Sequence, residues 1–305
     1  MRFAVIGNCQ TAIFRDSVLA YLPGATVEHF DITRAEVVNT AADIAAGLGR
    51  FDKVFAQPIF EERLGPLRQE PLLAARPDTV LIPGIAFTGF QPDCIYLRDA
   101  KGGLKSPLSA YHSAIVAGAF TLGLTAERTA GLFNALVYSR LGYFDEYEKA
   151  EAGLVKHFSR LKLDLTGRVR DWQRFGPFMY TINHPRSIAV AEMTRLVLEQ
   201  HGYTVRGMED IRDVLGERLG LHPVYPVYPE IGRRIGVSGH TLFRNSIHGS
   251  NAIDVMDLRA FIARSFESYE EYPDRVAEAV AAAPRAKAVQ GLLSRQGVGS
   301  VRAAA

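Results

Sequence analysis

Apolar residues along this chain gather in short runs, each ended by a glycine or proline and followed by hydrophobics at helical spacing. Residues 2–6 (Arg-Phe-Ala-Val-Ile) read as a buried strand ending at Gly7, and residues 11–22 carry Ile13, Val18, Leu19 and Leu22 before Pro23-Gly24. The same alternation continues with a strand over Ala25 to Asp31, a helix from about Arg34 to Leu48, a strand at Lys53-Val54-Phe55-Ala56 ending at Gln57-Pro58, and a strand over Thr79 to Ile82 ending at Pro83-Gly84. Strands alternating with helices imply βαβ units and a mostly parallel sheet, with the loops after each strand along one ligand-binding edge. After Lys101-Gly102-Gly103 the pattern changes. Pro107 to Leu161 has helical spacing and no convincing strand, so it reads as a helical insertion. A strand-like stretch returns at Phe178 to Ile182, followed by Asn183-His184-Pro185 and a helix over Arg186 to Gln200 stopped by Gly202. This unit is expected to rejoin the sheet.

The pattern predicts an α/β protein: a mostly parallel sheet with flanking helices, a helical insertion and a helical C-terminal region. Its expected parts are an α/β core over residues 1–104, the insertion over 105–172, a last α/β unit over 173–205, and a helical, loop-rich region over 206–305. A chain of 305 residues buries enough surface to need no disulfide staples or structural metal. The net charge of +2, with no long run of like charges, argues against a nucleic-acid partner. No apolar stretch approaches the roughly 20 residues that span a bilayer, and the N-terminus lacks a signal-peptide pattern. A soluble, cytoplasmic protein is expected, with Cys9 and Cys94 as free thiols and no metal site.

Candidate chemistry centres on Gly7-Asn8-Cys9-Gln10, where the first strand turns into a helix. A dinucleotide-binding turn would need glycines at positions held by Cys9 and Ala12, and Asp31 after the second strand is weak evidence without them. The turn offers a thiol instead. A helix N-terminus favours an anion and lowers a nearby thiol pKa, which suits a nucleophile, while backbone N–H groups and the Asn8 and Gln10 amides could hold an oxyanion. Cys9 as a small buried hydrophobe is an equal reading. Among eight histidines, His184 is the best-placed base, against a reading as part of a helix cap; His222, His240 and His248 are alternatives. His29, His112, His157 and His201 read as packing or surface residues. Asp93 and Asp99 are candidate orienting acids or plain turn formers. Gln57 faces the same edge and is a candidate donor to a substrate carbonyl.

Ile6-Gly7-Asn8-Cys9-Gln10, Gln57-Pro58-Ile59, Leu81 to Asp93 and Asn183-His184-Pro185, in that order, resemble the WcbI family of polysaccharide-biosynthesis acetyltransferases, as does Tyr225-Pro226 followed by Ile235-Gly236-Val237. The resemblance implies coenzyme A binding, acetyl transfer to a sugar hydroxyl on a glycan or sugar-nucleotide acceptor during capsule or exopolysaccharide assembly, and Cys9 as the acyl acceptor. There is a more distant similarity to SGNH-type esterases, with Asn8 and Cys9 replacing the Asp and Ser of their G-D-S turn. Thr181 stands where their late acid would be, so a Cys9–His184 dyad is as good a reading as a triad. Gly7, Gln57, Lys101, Lys105 and Arg186 are the candidates for contacting coenzyme A or acetyl-CoA, the last three as cations for its phosphates. A thioesterase or carbohydrate esterase with the same Cys/His site, and a non-catalytic CoA- or glycan-binding subunit, remain as alternatives. Peripheral contact with a membrane-bound assembly complex is compatible with all of them.

Overall fold

The computed structural model of the protein describes residues 1–205, 207, 213–246 and 252–295. The chain divides into two compact units, one made of Met1–Ala86, Gly153–Phe178 and His184–Gly220, the other of Phe87–Ala152, Met179–Asn183 and Leu221–Ala305.

The first unit is built on a parallel sheet of β1 (Arg2–Gly7), β2 (Thr26–Asp31), β3 (Lys53–Ala56) and β4 (Val80–Leu81), in the order β2-β1-β3-β4. The register places Gly7 beside Asp31 and Ile6 beside Ala56. Alternating side chains of β1 serve two cores. Ala4 and Ile6 join Val54, Ala56, Leu64 and Leu72 on one face, packed by Val37, Val38 and Ile44. On the other, Phe3 and Phe14 meet Phe55 with ring centroids 5.7 and 5.4 Å apart, and the helix Ser187–Gln200 packs beside α1 (Thr11–Tyr21). The expected α/β architecture with flanking helices is the one observed.

Strand order matters for function. From β1 the chain moves to β2 on one side, crosses back to β3 on the other, and continues outward to β4. The loops after β1 and β3 therefore diverge, opening the crevice at which open α/β sheets bind ligands. Cys9 follows β1 and Gln57 follows β3.

Three expectations are corrected. The helix predicted over Arg34 to Leu48 breaks into α2 (Ala35–Asn39) and α3 (Ala41–Gly47) at Thr40, whose hydroxyl bonds back to Glu36 O at 2.8 Å and competes with the helix backbone. The returning strand, Met179–Thr181, is not among the four strands of the parallel sheet. The stretch expected to lack strands holds a short one, His112–Ser113, antiparallel to Cys94–Ile95 in the second unit.

The second unit is organised around Asp93. Its side chain is fully buried and accepts hydrogen bonds from Ser113 Oγ (2.5 Å), Ile115 N (3.0 Å), and the hydroxyls of Tyr143, Tyr225 and Tyr228 (each 2.9 Å). Ser113 also caps the apolar helix Ala114–Thr121 by accepting from Val116 N at 3.0 Å.

Candidate active site at the switch point of the sheet

The turn from β1 into α1 is held by short bonds within residues 7–11. Thr11 N donates to Asn8 O at 2.9 Å, and Gln10 N donates to Asn8 Oδ1 at 3.0 Å. Thr11 Oγ1 gives its proton to Asn8 O (2.6 Å), so it accepts from His29 Nε2 (2.8 Å), which fixes a proton on that nitrogen. The Asn8 side-chain oxygen is thereby spent on shaping the turn. The Gln10 amide is spent too: Nε2 donates to Ile85 O at 2.8 Å and Oε1 accepts from Ile85 N at 2.9 Å, clamping the loop after β4 to the turn.

Gln57 crosses the switch point. Its Oε1 accepts from Asn8 N at 2.9 Å, tying the end of β3 to the turn that carries Cys9. Gly7 is needed for this contact. A Cβ there would lie 2.6 Å from Gln57 Oε1 and 2.7 Å from Thr11 Cγ2, both atoms of side chains pinned by hydrogen bonds. Gly7→Ala is expected to cost about 1–3 kcal/mol of stability, the usual toll of overpacking, read as a lowered urea midpoint. An unchanged midpoint would show that the Gln57–Asn8 contact is not rigid.

Cys9 is half-buried at this turn and free, whereas Cys94 is 1% exposed in the second unit. Burial and then the nearby Asp31 carboxylate push the Cys9 thiol up to about 11, and the N–H groups of Cys9 and Gln10, which act the other way, do not compensate. The expectation that the helix start would lower this pKa is therefore corrected: the favourable N–H groups are present, but desolvation outweighs them. Burial drives the Cys94 thiol well above its ordinary value.

His184 belongs to the same unit as Cys9 and is 8% exposed just ahead of the helix Ser187–Gln200. Arg186 immediately precedes that helix; its Nε donates to Pro177 O at 2.8 Å. The N-terminus of the helix, a natural seat for a phosphate, is taken by Glu217, which accepts from Ser187 N at 3.0 Å. The structure thus brings Gly7, Asn8, Cys9, Gln10, Gln57, His184 and Arg186 into one unit. Lys101 and Lys105 lie in the other, both exposed.

The remaining candidates are accounted for by their surroundings. Asp99 is held by Arg275 Nε and Nη2 (2.5 and 3.0 Å), which brings its carboxyl down to about 2. Asp93 is consumed by its five donors. Thr181 is buried and donates to Asn183 Oδ1 at 3.3 Å. His112 is buried between Tyr269 OH (2.9 Å) and Leu104 O (3.2 Å), and burial lowers it to about 4. His240 Nδ1 accepts from Leu242 N at 3.2 Å, and His248 lies outside the described residues. Sequence reasoning passed over His29 and undervalued Asp31. The signal was there in the strand phasing, because parallel pairing of β1 with β2 brings Asp31 alongside Gly7.

The second unit contains a cleft of about 540 Å³ lined by Ile95, Tyr96, Arg98, Ile182, Pro284 and Arg285, among others. Arg285 is engaged by Pro92 O and by Glu146. Among the described residues no group of acids, histidines and cysteines could hold a metal, and no helix is long and apolar enough to cross a membrane.

Comparison with known proteins sets this geometry in context. No curated protein sequence matches the chain. One solved structure superposes over 96% of this chain and 98% of its own, with a TM-score of 0.62 at 16% identity. It is described as WcbI, a novel polysaccharide biosynthesis enzyme, in its native form without a disulfide bond between coenzyme A and a cysteine of that protein. At that identity the likeness speaks for the fold. The sequence pattern of the family described as polysaccharide biosynthesis enzyme WcbI matches residues 2–206, which include the β1 turn, the end of β3 and His184, and the chain belongs to that family.

Proposed function

We propose that this protein is a CoA-dependent O-acetyltransferase that moves an acetyl group onto a sugar hydroxyl in capsule or exopolysaccharide biosynthesis. One observation carries the reading: of two cysteines in a member of this family, only Cys9 stands at the point where the strand order of the sheet reverses, in a turn supplied with backbone N–H groups. The similar solved protein, described as a native form without a disulfide between coenzyme A and one of its cysteines, supports it by naming those two groups together.

In this reading His184 takes the thiol proton as Cys9 Sγ attacks the thioester carbonyl. The carbonyl pair moves to oxygen and returns to expel the coenzyme thiolate, which His184 reprotonates. The sugar hydroxyl then attacks acetyl-Cys9, giving its proton to His184, and Cys9 regains a proton on release. Asn8 and Gln10 keep the turn in shape through the bonds described above. Gly7 lets Gln57 close onto the turn, and Gln57 borders the acyl group. Arg186 is assigned to the coenzyme's phosphates, whereas Lys101 and Lys105, the other cations expected for them, belong to the second unit. The acceptor is a glycan or sugar nucleotide, and the work is done in the cytoplasm, where peripheral contact with a membrane-bound assembly complex is compatible with it.

Calorimetric titration of the purified protein with coenzyme A tests this. The expected result is saturable one-to-one binding that weakens once a thiol reagent has blocked Cys9. Absence of binding up to millimolar coenzyme overturns the proposal. Release of acetate from acetyl-CoA with no acceptor present, at the rate seen with one, would mark a hydrolase instead.

A further inference from the structure

We propose that the Gln57 side-chain amide is the oxyanion donor of the Cys9 site, a catalytic residue in its own right; this rests on acyl chemistry at Cys9 as proposed above. The two ends of the amide are treated differently by the fold. Oε1 is fixed by Asn8 N at 2.9 Å, so Nε2 is directed away from the backbone that holds it. Nε2 is buried and has no hydrogen-bond partner among the described residues, and the whole residue is 6% exposed. Leaving such a donor unmatched costs about 1–3 kcal/mol, and native proteins match nearly all of them.

Backbone comes close to the amide on both sides. Gly84, in the loop after β4, presents no Cβ; one built there would sit 3.3 Å from Gln57 Nε2. Gly7 gives the same relief on the Oε1 side. A glutamine whose oxygen is pinned, whose nitrogen is orphaned, and which two bare backbones flank therefore stands directly after β3, at the switch point where the β1 and β3 loops diverge. A ligand at such a crevice meets Cys9 from one strand end and Gln57 from the next.

The chemistry needs this kind of group. When a nucleophile adds to an acetyl carbonyl, the carbonyl π pair becomes a lone pair on oxygen. A donor already oriented and desolvated stabilises that charge without reorganising. Gln57 Nε2–H is such a donor, and the Cys9 N–H, which faces the thiol, is the natural second. The assignment also explains the Asn8 contact: that N–H is spent on orienting Gln57, not on the substrate.

Gln57→Glu tests this, since it keeps the acceptor for Asn8 N while replacing the Nε2 donor by oxygen. The rate of Cys9 acetylation is followed by mass spectrometry with acetyl-CoA and, independently of coenzyme recognition, with p-nitrophenyl acetate. With both reagents the maximal rate should fall about 100- to 1000-fold, while the half-saturating acetyl-CoA concentration and the calorimetric affinity for coenzyme A stay within about threefold. A folded Gln57→Glu protein acetylated at the wild-type rate overturns the assignment, as does a wild-type protein that neither reagent acetylates at Cys9. If Gln57→Glu does not fold, Gly84→Ala decides, because its Cβ crowds Nε2 without altering Gln57. A loss of about tenfold or more in maximal rate is expected, and an unchanged rate overturns the proposal. Failure of coenzyme binding with p-nitrophenyl acetate still reacting at Cys9 would count against the transferase reading alone.

Discussion

Asp93→Ala is expected to cost about 3–5 kcal/mol, the range for stripping one partner from a buried charged network. That is a large fraction of the stability of an ordinary domain. The reason is the number of donors that converge on one carboxylate. Oδ1 takes Ile115 N and Tyr143 OH, while Oδ2 takes Ser113 Oγ, Tyr225 OH and Tyr228 OH. Removing the acceptor strands donors with no route to water. With Asp93 gone, one of the Tyr225 and Tyr228 hydroxyls, whose oxygens lie 2.9 Å apart, can turn its proton to the other, and Ser113 keeps its role as acceptor for Val116 N, so the loss is smaller than five full penalties. Asp93→Asn keeps the shape but turns an amide donor toward hydroxyl donors, and should fall between alanine and wild type. Urea denaturation measures both. A second readout is spectroscopic: burial first, and then the Asp93 charge, hold the Tyr143, Tyr225 and Tyr228 phenols well above their ordinary range. If Asp93→Ala folds, those phenols should ionise at lower pH than in the wild type. A stability change under 1 kcal/mol would show that the network is decorative.

Asp93 also marks the limit of what the amino-acid order discloses. Its neighbours Pro92 and Cys94 gave it the look of a turn residue, and its partners lie 20 to 135 residues away along the chain. Nothing periodic links Tyr143, Tyr225 and Tyr228, so only the folded second unit reveals the network. The first unit was far more legible. β1 and α1 fall within a residue of the predicted bounds, because a four-residue apolar run closed by glycine and a helical stripe closed by Pro-Gly are local signals. β4 is shorter than predicted, at Val80–Leu81, since pairing to β3 spans only two residues. The residues of the Cys9 turn could be named from sequence, but their division of labour could not. Gln10, expected to face an oxyanion, is consumed as scaffolding by Ile85, and Asn8 gives its side-chain oxygen to the turn and its backbone N–H to Gln57. Which amide is spent and which is left over depends on contacts between loops 49 and 75 residues apart.

Cys9→Ala should lower acetyl transfer by about a thousandfold or more, in line with removal of a covalent nucleophile, and should abolish any acetylated enzyme trapped on quenching. The thiol's own state sharpens the expectation. With its pKa pushed to about 11, only about one thiol in ten thousand is ionised at pH 7, so attack requires a base acting as the bond forms. His184→Ala should therefore fall nearly as far as Cys9→Ala, and the double variant scarcely further, as for residues that act as a unit. The same pKa predicts the pH profile of alkylation. Iodoacetamide should react with Cys9 at a rate that keeps rising with pH toward about 11, where an ordinary thiol levels off near ~8.5. Asp31 is the second cause of that rise, after burial, and its charge opposes the thiolate; Asp31→Asn should shift the profile to lower pH and speed alkylation at pH 8. A profile that levels off near 8 in the wild type would mean the helix N-terminus prevails over burial after all. Transfer within tenfold of wild type in Cys9→Ala would remove the acetyl-Cys9 step and leave the high thiol pKa with a simpler meaning. Cys9 would then be a neutral contact for the coenzyme, and the sugar hydroxyl, deprotonated by His184, would attack the thioester directly.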